Sequence, residues 1–271
     1  MNLVLYNGEQ LPSQACGLLL PNRGLAFGDG FFETLVFVDN RLRFAADHHA
    51  RMQRAAAALY LTLPAALATA GALEQTLTEL TRANNQPAAR LRLQLWRAGG
   101  GRYTPLTTTC GWLATAEPFG ADDSAVSHAA FALETYSIYS PLSFCKGPQA
   151  WLYVRAAHER QQRELDEIIL CDAAGHVAEA GAAAIFWIKD DVLFTPSLDS
   201  GCVAGVRRGQ VMRAAYQKGT ECQEGLFTQD KLLAADAVFT ANVAAIRPLK
   251  QVENTTFHKP NPLLTALRND K

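Results

Sequence analysis

The runs of this chain that can form β-strands are short and arrive in clusters, and that clustering limits the fold more than any other feature. Residues 3–6 and 33–44 are β-branched and aromatic, and Asp39-Asn40 breaks the second run with the residues a hairpin turn prefers. Asp47 is then placed to N-cap a helix reaching about Leu61, and a second helix fits residues 65–84 before Asn84-Asn85-Gln86-Pro87 ends it. Strands over 90–97 and 110–117 flank a glycine-rich loop at 98–109, and residues 118–124 have the composition of a linker. Beyond it, 130–138 alternates as a strand and 149–164 has helical spacing with a charged face. Strands over 167–171, 183–189 and 192–194 surround turns at 173–175 and 190–191. Helices over 207–217 and 228–234 and strands over 237–240 and 245–252 complete the chain. Strands grouped with helices, without strict β-helix-β alternation, give an α+β class. A length of 271 residues, 49% of them hydrophobic, allows one large domain or two of ordinary size.

Charge and cysteine usage remove several function classes. Lys plus Arg number 25 against 26 Asp plus Glu, so no broad positive field is available for a nucleic acid or an anionic membrane, and any phosphate has to be bound locally. The six cysteines form no C-x-x-C pair and have no neighbouring His cluster, which points to free thiols in a reducing cytoplasm and to neither a metal site nor a disulfide framework. Residues 1–10 lack the pattern of a secretory signal. The uncharged run 55–73 is weakly apolar and carries Pro64 at its centre, so it reads as two helices meeting at a turn and not as a membrane span.

Four segments carry chemistry. In residues 22–34, NRGLAFGDGFFET, Gly28 and Gly30 bracket Asp29 ahead of two phenylalanines, a pattern that also fits a plain glycine turn opening a strand. In residues 140–148, SPLSFCKGP, Lys146 is the one lysine before Trp151; on a surface it is an ordinary cation, and buried it is a nucleophile suited to a carbonyl. In residues 177–186, VAEAGAAAIF, Glu179 sits among small apolar residues, either at a solvated strand edge or held there by a partner such as a protonated ring nitrogen. Residues 201–208, GCVAGVRR, form a glycine turn leading into a helix whose N-terminal amides suit a phosphate.

In this order the four segments resemble the fold-type IV pyridoxal-phosphate enzymes, the class IV aminotransferases and their lyase relatives, and the resemblance spans nearly the whole chain. It implies a two-domain α+β fold like that of D-amino-acid aminotransferase: a smaller domain over 1–117, a linker over 118–124, and a larger domain over 125–271 that carries the cofactor lysine, with pyridoxal 5'-phosphate held between them. By resemblance Lys146 is the Schiff-base lysine and proton carrier, and Glu179 pairs with the ring nitrogen. Arg51, in the H-x-x-R pattern that starts at His48, binds the phosphate, with the amides of Val206 and Arg207 and the side chain of Asn242. The family often has Thr at the position of Arg207, so the contact there falls to the backbone. Gly147-Pro148-Gln149 also depart from the leucine and asparagine that many relatives carry after the lysine.

Within the family the FFET segment is most similar to 4-amino-4-deoxychorismate lyases, which have Thr where this chain has Thr34. The resemblance makes Thr34 a catalytic residue and Phe32 a substrate contact, and implies release of pyruvate and 4-aminobenzoate, a folate precursor. Arg97 and Arg102, in LWRAGGGRYTP, could meet substrate carboxylates or be solvated loop arginines. Aminotransferases acting on branched-chain or D-amino acids share the other motifs, and a cofactor-binding protein without catalysis is a third reading. A cytoplasmic homodimer with shared active sites is implied, with no metal, nucleic acid or membrane partner.

Overall fold

The computed structural model describes residues 2–147 and 150–269. By packing, the chain divides into two compact units, Met1–Gly120 with Cys145–Pro148, and Ala121–Phe144 with Gln149–Lys271. Lys146 thus packs with the first unit, whereas the sequence reading placed it in the C-terminal domain.

The first unit contains β1 (Leu3–Tyr6), β2 (Glu9–Pro12), α1 (Arg23–Phe27), β3 (Gly30–Val38), β4 (Arg41–Leu42), α2 (Ala45–Ala58), α3 (Ala70–Ala83), β5 (Ala89–Arg97) and β6 (Cys110–Pro118). Its six strands form one antiparallel sheet in the order β2-β1-β6-β5-β3-β4. The β3–β4 turn follows from its residues: Asp39 and Asn40 adopt φ of 53° and 59°, the left-handed pair that a two-residue hairpin needs. In α3, Leu73, Leu77 and Leu80 recur at helical spacing and are all buried, and Thr69 caps the N-terminus by accepting from Ala72 N. α2 begins earlier than expected. Its N-cap is Phe44 in a left-handed conformation and Asp47 lies inside the first turn, where its charge favours the helix dipole. The 55–73 run is broken as expected: α2 ends at Ala58, Pro64 precedes a short 3-10 turn, and α3 starts at Ala70. Among the described residues no helix is long and apolar enough to cross a membrane.

The second unit contains β7 (Ala129–Ser137), α4 (Ala150–Gln162), β8 (Glu167–Asp172), β9 (Val177–Ala180), β10 (Ala184–Lys189), β11 (Val192–Pro196), α5 (Val206–Gln217), β12 (Cys222–Gly225), α6 (Gln229–Leu233), β13 (Ala237–Ala241), β14 (Ile246–Leu249), β15 (Gln251–Val252), β16 (Thr255–Thr256) and α7 (Pro262–Asn269). They make two five-stranded sheets, β12-β11-β10-β13-β14 and β16-β15-β7-β8-β9. β10 shows why its sequence, AIFWIK, is so apolar. Period-two alternation sends Phe186 and Trp187 to opposite faces, and both faces are covered. Phe186 stacks on its cross-strand partner Phe239 in a cluster with Val211 and Leu264, and Trp187 stacks on Phe194 in a cluster with Phe131 and Val238.

Candidate active site

The NRGLAFGDG segment folds as a short helix closed by a glycine. Asn22 caps α1 by accepting from Leu25 N, and Gly28 ends it with φ of 61°. The chain then enters β3 at Gly30, where an added Cβ would lie 2.0 Å from the carbonyl oxygen of Leu95 on β5. Both glycines are therefore demanded by the backbone, and they leave Asp29 at the head of β3. Asp29 Oδ2 accepts from Arg23 Nε at 2.8 Å and from Arg97 Nε at 2.9 Å. Burial opposes ionisation of this carboxyl, but the hydrogen bonds and charges of Arg97 and Arg23 outweigh it and hold Asp29 below the usual carboxylate range.

That network changes the part played by Arg97, which the sequence offered as a substrate contact. It is buried, and besides Asp29 it donates to the carbonyls of Leu59, Tyr60 and Thr107. Arg23 meanwhile donates to the carbonyls of Gly100, Gly101 and Arg102. The two guanidinium groups therefore brace the loop between β5 and β6, and Arg102 and Tyr103 stand exposed on it. Of the two loop arginines, Arg97 has its guanidinium committed to the fold and Arg102 is exposed.

Lys146 is half-buried beside the start of β3. Its carbonyl accepts from Phe32 N at 2.9 Å, and its Nζ lies 5.9 Å from the centre of the Phe32 ring. Thr34, two residues on and buried, shares the Phe32 face of β3. Arg92, the cross-strand partner of Thr34, lays its guanidinium 3.8 Å from the Phe32 ring centre and adds a cation that the sequence did not single out. Pro148 and Gln149, where the chain departs from the family pattern, lie outside the described residues.

Glu33 points to the opposite face of the same strand, toward α2. That helix buries His48, His49, Arg51, Met52, Ala55 and Ala56, and two of its buried polar side chains, His48 and Arg51, reach Glu33. Glu33 is the partner of both His48 and Arg51. Arg51 Nε donates to Oε1 at 2.8 Å and Nη2 to Oε2 at 2.6 Å, a two-pronged pair, and His48 Nδ1 lies 2.7 Å from Oε2. Burial would raise the Glu33 pKa, but the Arg51 charge, the His48 hydrogen bond and charge, and the Arg51 hydrogen bonds bring it down from 4.5 to about 2. Burial likewise works against the Arg51 cation, and the Glu33 charge more than compensates, so its pKa rises. Arg51 is thus a permanent cation in a fixed orientation. His48 Nε2 is buried with no hydrogen-bond partner among the described residues.

In the second unit Glu179 lies in β9, all four residues of which are buried. Tyr153 Oη on α4 donates to Oε1 at 2.7 Å, and the Val203 N–H donates to Oε2 at 3.2 Å. The loop that brings Val203 there turns at Gly201, φ 82°, where a Cβ would lie 2.6 Å from Ser137 Oγ. Val206 and Arg207 open α5. Gly205 at its N-cap has no side chain to cap the turn, and no acidic residue lies in the first turn, so the positive end of the helix is unopposed by either. Arg208, next in the GVRR run, is turned inward to the carbonyl of Pro196 and to Glu224. Asn242 follows β13 and organises its turn: Oδ1 accepts from Ala244 N and Ala245 N, and Nδ2 donates to Ala182 O. The sequence reading gave no role to Glu33 or Tyr153 and named His48 only as the start of a pattern. A carboxylate inside the apolar run FFETLVFV was a usable signal for Glu33; nothing in the sequence ties Tyr153 to Glu179.

These residues fit pyridoxal phosphate. Taken singly, in the first unit a fixed arginine suits a phosphate and a half-buried lysine suits an aldehyde, and in the second unit a hydrogen-bonded buried carboxylate suits a ring nitrogen and a helix N-terminus suits a phosphate.

The family described as Amino-transferase class IV matches residues 30–252. D-alanine aminotransferase of Bacillus licheniformis is 26% identical, over 98% of this chain and 96% of its own. Aminodeoxychorismate lyase of Vibrio harveyi is also 26% identical, over 87% and 88%. The branched-chain-amino-acid aminotransferase of Escherichia coli strain K12 is 32% identical over 35% of this chain and 31% of its own. Among solved structures, the branched-chain aminotransferase of Thermoproteus uzoniensis with norvaline superposes with a TM-score of 0.88 at 23% identity, covering 99% of this chain and 93% of the other. The chain belongs to the class IV aminotransferase family and is a pyridoxal-phosphate-dependent enzyme of aminotransferase or lyase type.

Proposed function

We propose that this enzyme is a 4-amino-4-deoxychorismate lyase that releases pyruvate and 4-aminobenzoate. The observation that carries the reading is Thr34, a buried hydroxyl on the Phe32 face of β3, next to the strand residue that holds the Lys146 backbone. The lyase from Vibrio harveyi, alike over most of both chains, supports it.

Pyridoxal phosphate, when bound, supplies an electrophilic carbon and a ring that accepts electrons. Arg51, the amides of Val206 and Arg207, and Asn242 hold its phosphate. Glu179 keeps its ring nitrogen protonated. Lys146 Nζ would hold the cofactor aldehyde, and its free amine would take the proton from the substrate carbon that bears the amine. The electron pair of that C–H bond becomes the last double bond of the aromatic ring as the C–O bond to the enolpyruvyl group breaks, its own electrons leaving with the oxygen. The leaving group takes a proton at its methylene carbon and becomes pyruvate. Thr34 Oγ1 hydrogen-bonds the departing group, Phe32 packs against the substrate ring, and Arg102 meets a carboxylate. Aromatisation supplies much of the driving force, so the chain mainly has to bind, orient and move protons. The enzyme works as a cytoplasmic homodimer in which the loop bearing Arg102 serves the active site of the other copy.

Steady-state assay with aminodeoxychorismate made in situ tests this. Pyruvate and 4-aminobenzoate should appear together with no keto acid added. Turnover only with an amino acid and keto acid pair, such as D-alanine and 2-oxoglutarate, would overturn the lyase reading in favour of an aminotransferase.

A further inference from the structure

A carboxylate buried in a strand made of Val, Ala and Ala gains a proton unless donors keep it ionised, because desolvation penalises the charged form. Glu179 has such donors, one on each oxygen: the Tyr153 phenol at 2.7 Å and the Val203 amide at 3.2 Å. Both are neutral, and that choice has consequences. A phenol stabilises the anion and leaves its charge available. Each carboxylate oxygen can accept twice, so these two donors alone do not exhaust it. Tyr153 itself stays a donor, since burial and then the Glu179 charge push its pKa well above that of a free phenol. The Cys202 thiol also faces this carboxylate; burial first, and Glu179 second, raise it to about 11, so it adds no competing charge at neutral pH.

Resting on the reading of Glu179 as the partner of the ring nitrogen, we propose that Tyr153 is its positioning residue: it fixes the Glu179 carboxylate and lowers its proton affinity, so that the shared proton stays on the cofactor. No motif points to Tyr153. It stands on α4, seven residues after Lys146, so the helix that follows the anchoring lysine also carries the brace for the carboxylate.

The test is the ring-nitrogen 15N chemical shift of labelled pyridoxal phosphate bound to the resting enzyme, read without turnover. Glu179→Gln should move the resonance from the protonated toward the neutral pyridine position. Tyr153→Phe and Tyr153→Met should move it the same way by part of that distance, with apoprotein melting near wild type as the control for folding. Tyr153→Gln, which keeps a neutral donor, should stay closer to wild type than either. The proposal is overturned if Glu179→Gln moves the resonance while both donor-free variants leave it in place, or if the Gln variant moves it as far as they do. An unmoved resonance in Glu179→Gln overturns the reading of Glu179 itself, and the role of Tyr153 falls with it.

Discussion

Replacing Glu33 by Gln removes one charge from a buried cluster while keeping its shape, and the structure sets the size of the effect. In the wild type the Glu33 pKa falls from 4.5 to about 2 on folding. The native state therefore keeps this carboxylate ionised at pH values where the unfolded chain has already taken up a proton. The unfolded state binds more protons over that window, so stability rises with pH across it. A shift of this size corresponds to about 3 kcal/mol, fully present above the unfolded pKa near 4.5 and lost as the pH falls toward 2. Glu33→Gln also leaves Arg51 a buried cation facing an amide, which costs roughly 3–5 kcal/mol. Urea unfolding at several pH values, followed by hydrogen exchange in peptides of β3 and α2, reads the first unit by itself. At pH 7 the variant should be less stable by about 3 kcal/mol or more, and the gap should narrow by most of that amount between pH 5 and pH 2. A variant within about 0.5 kcal/mol of wild type at pH 7, or a gap that does not change with pH, would refute the reasoning.

Other substitutions probe separate links. Asp29→Asn leaves Arg23 and Arg97 without their shared carboxylate; exchange in loop peptides 98–109 should quicken and KM for the substrate should rise about tenfold, more than kcat falls, the size expected for one lost charge-assisted hydrogen bond. An unchanged KM would detach the brace from substrate binding. Arg51→Lys keeps the charge and loses the two-pronged pair with Glu33; titration of the apoprotein should show pyridoxal phosphate bound about tenfold more weakly, with little change in kcat at saturating cofactor. The reverse pattern would remove Arg51 from the phosphate site. Gly30→Ala forces a Cβ against the Leu95 carbonyl and should destabilise by at least about 3 kcal/mol in the same urea assay; near-wild-type stability would mean that β3 and β5 can move apart there.

The strands that the sequence disclosed are those with β-branched and aromatic runs, such as β3 and β10, or with leucine alternating with polar residues, as in β5. Others were illegible for physical reasons. β2 is Glu-Gln-Leu-Pro and mostly exposed, and β9 is rich in alanine, so neither carries a strand signal of its own; each is made by pairing with a neighbour. The helix boundary at Phe44 rests on a left-handed backbone that no cap motif announces. For the site, motif order singled out Lys146, Glu179 and Arg51 as candidates, but it could not say where a guanidinium spends its hydrogen bonds. Arg97 and Arg102 look alike in LWRAGGGRYTP, yet one is consumed by Asp29 and three carbonyls and the other is exposed. Glu33 and Tyr153 act through partners 18 and 26 residues away, a separation at which sequence pattern carries no information.

The account depends most on Lys146 as the residue that holds the cofactor. Reducing the holoenzyme with borohydride and mapping its peptides by mass spectrometry tests that directly. The phosphopyridoxyl group should be found on the peptide that contains Lys146, and Lys146→Ala should carry none. A labelled peptide around Lys189 or any other lysine, or label persisting in Lys146→Ala, would contradict it.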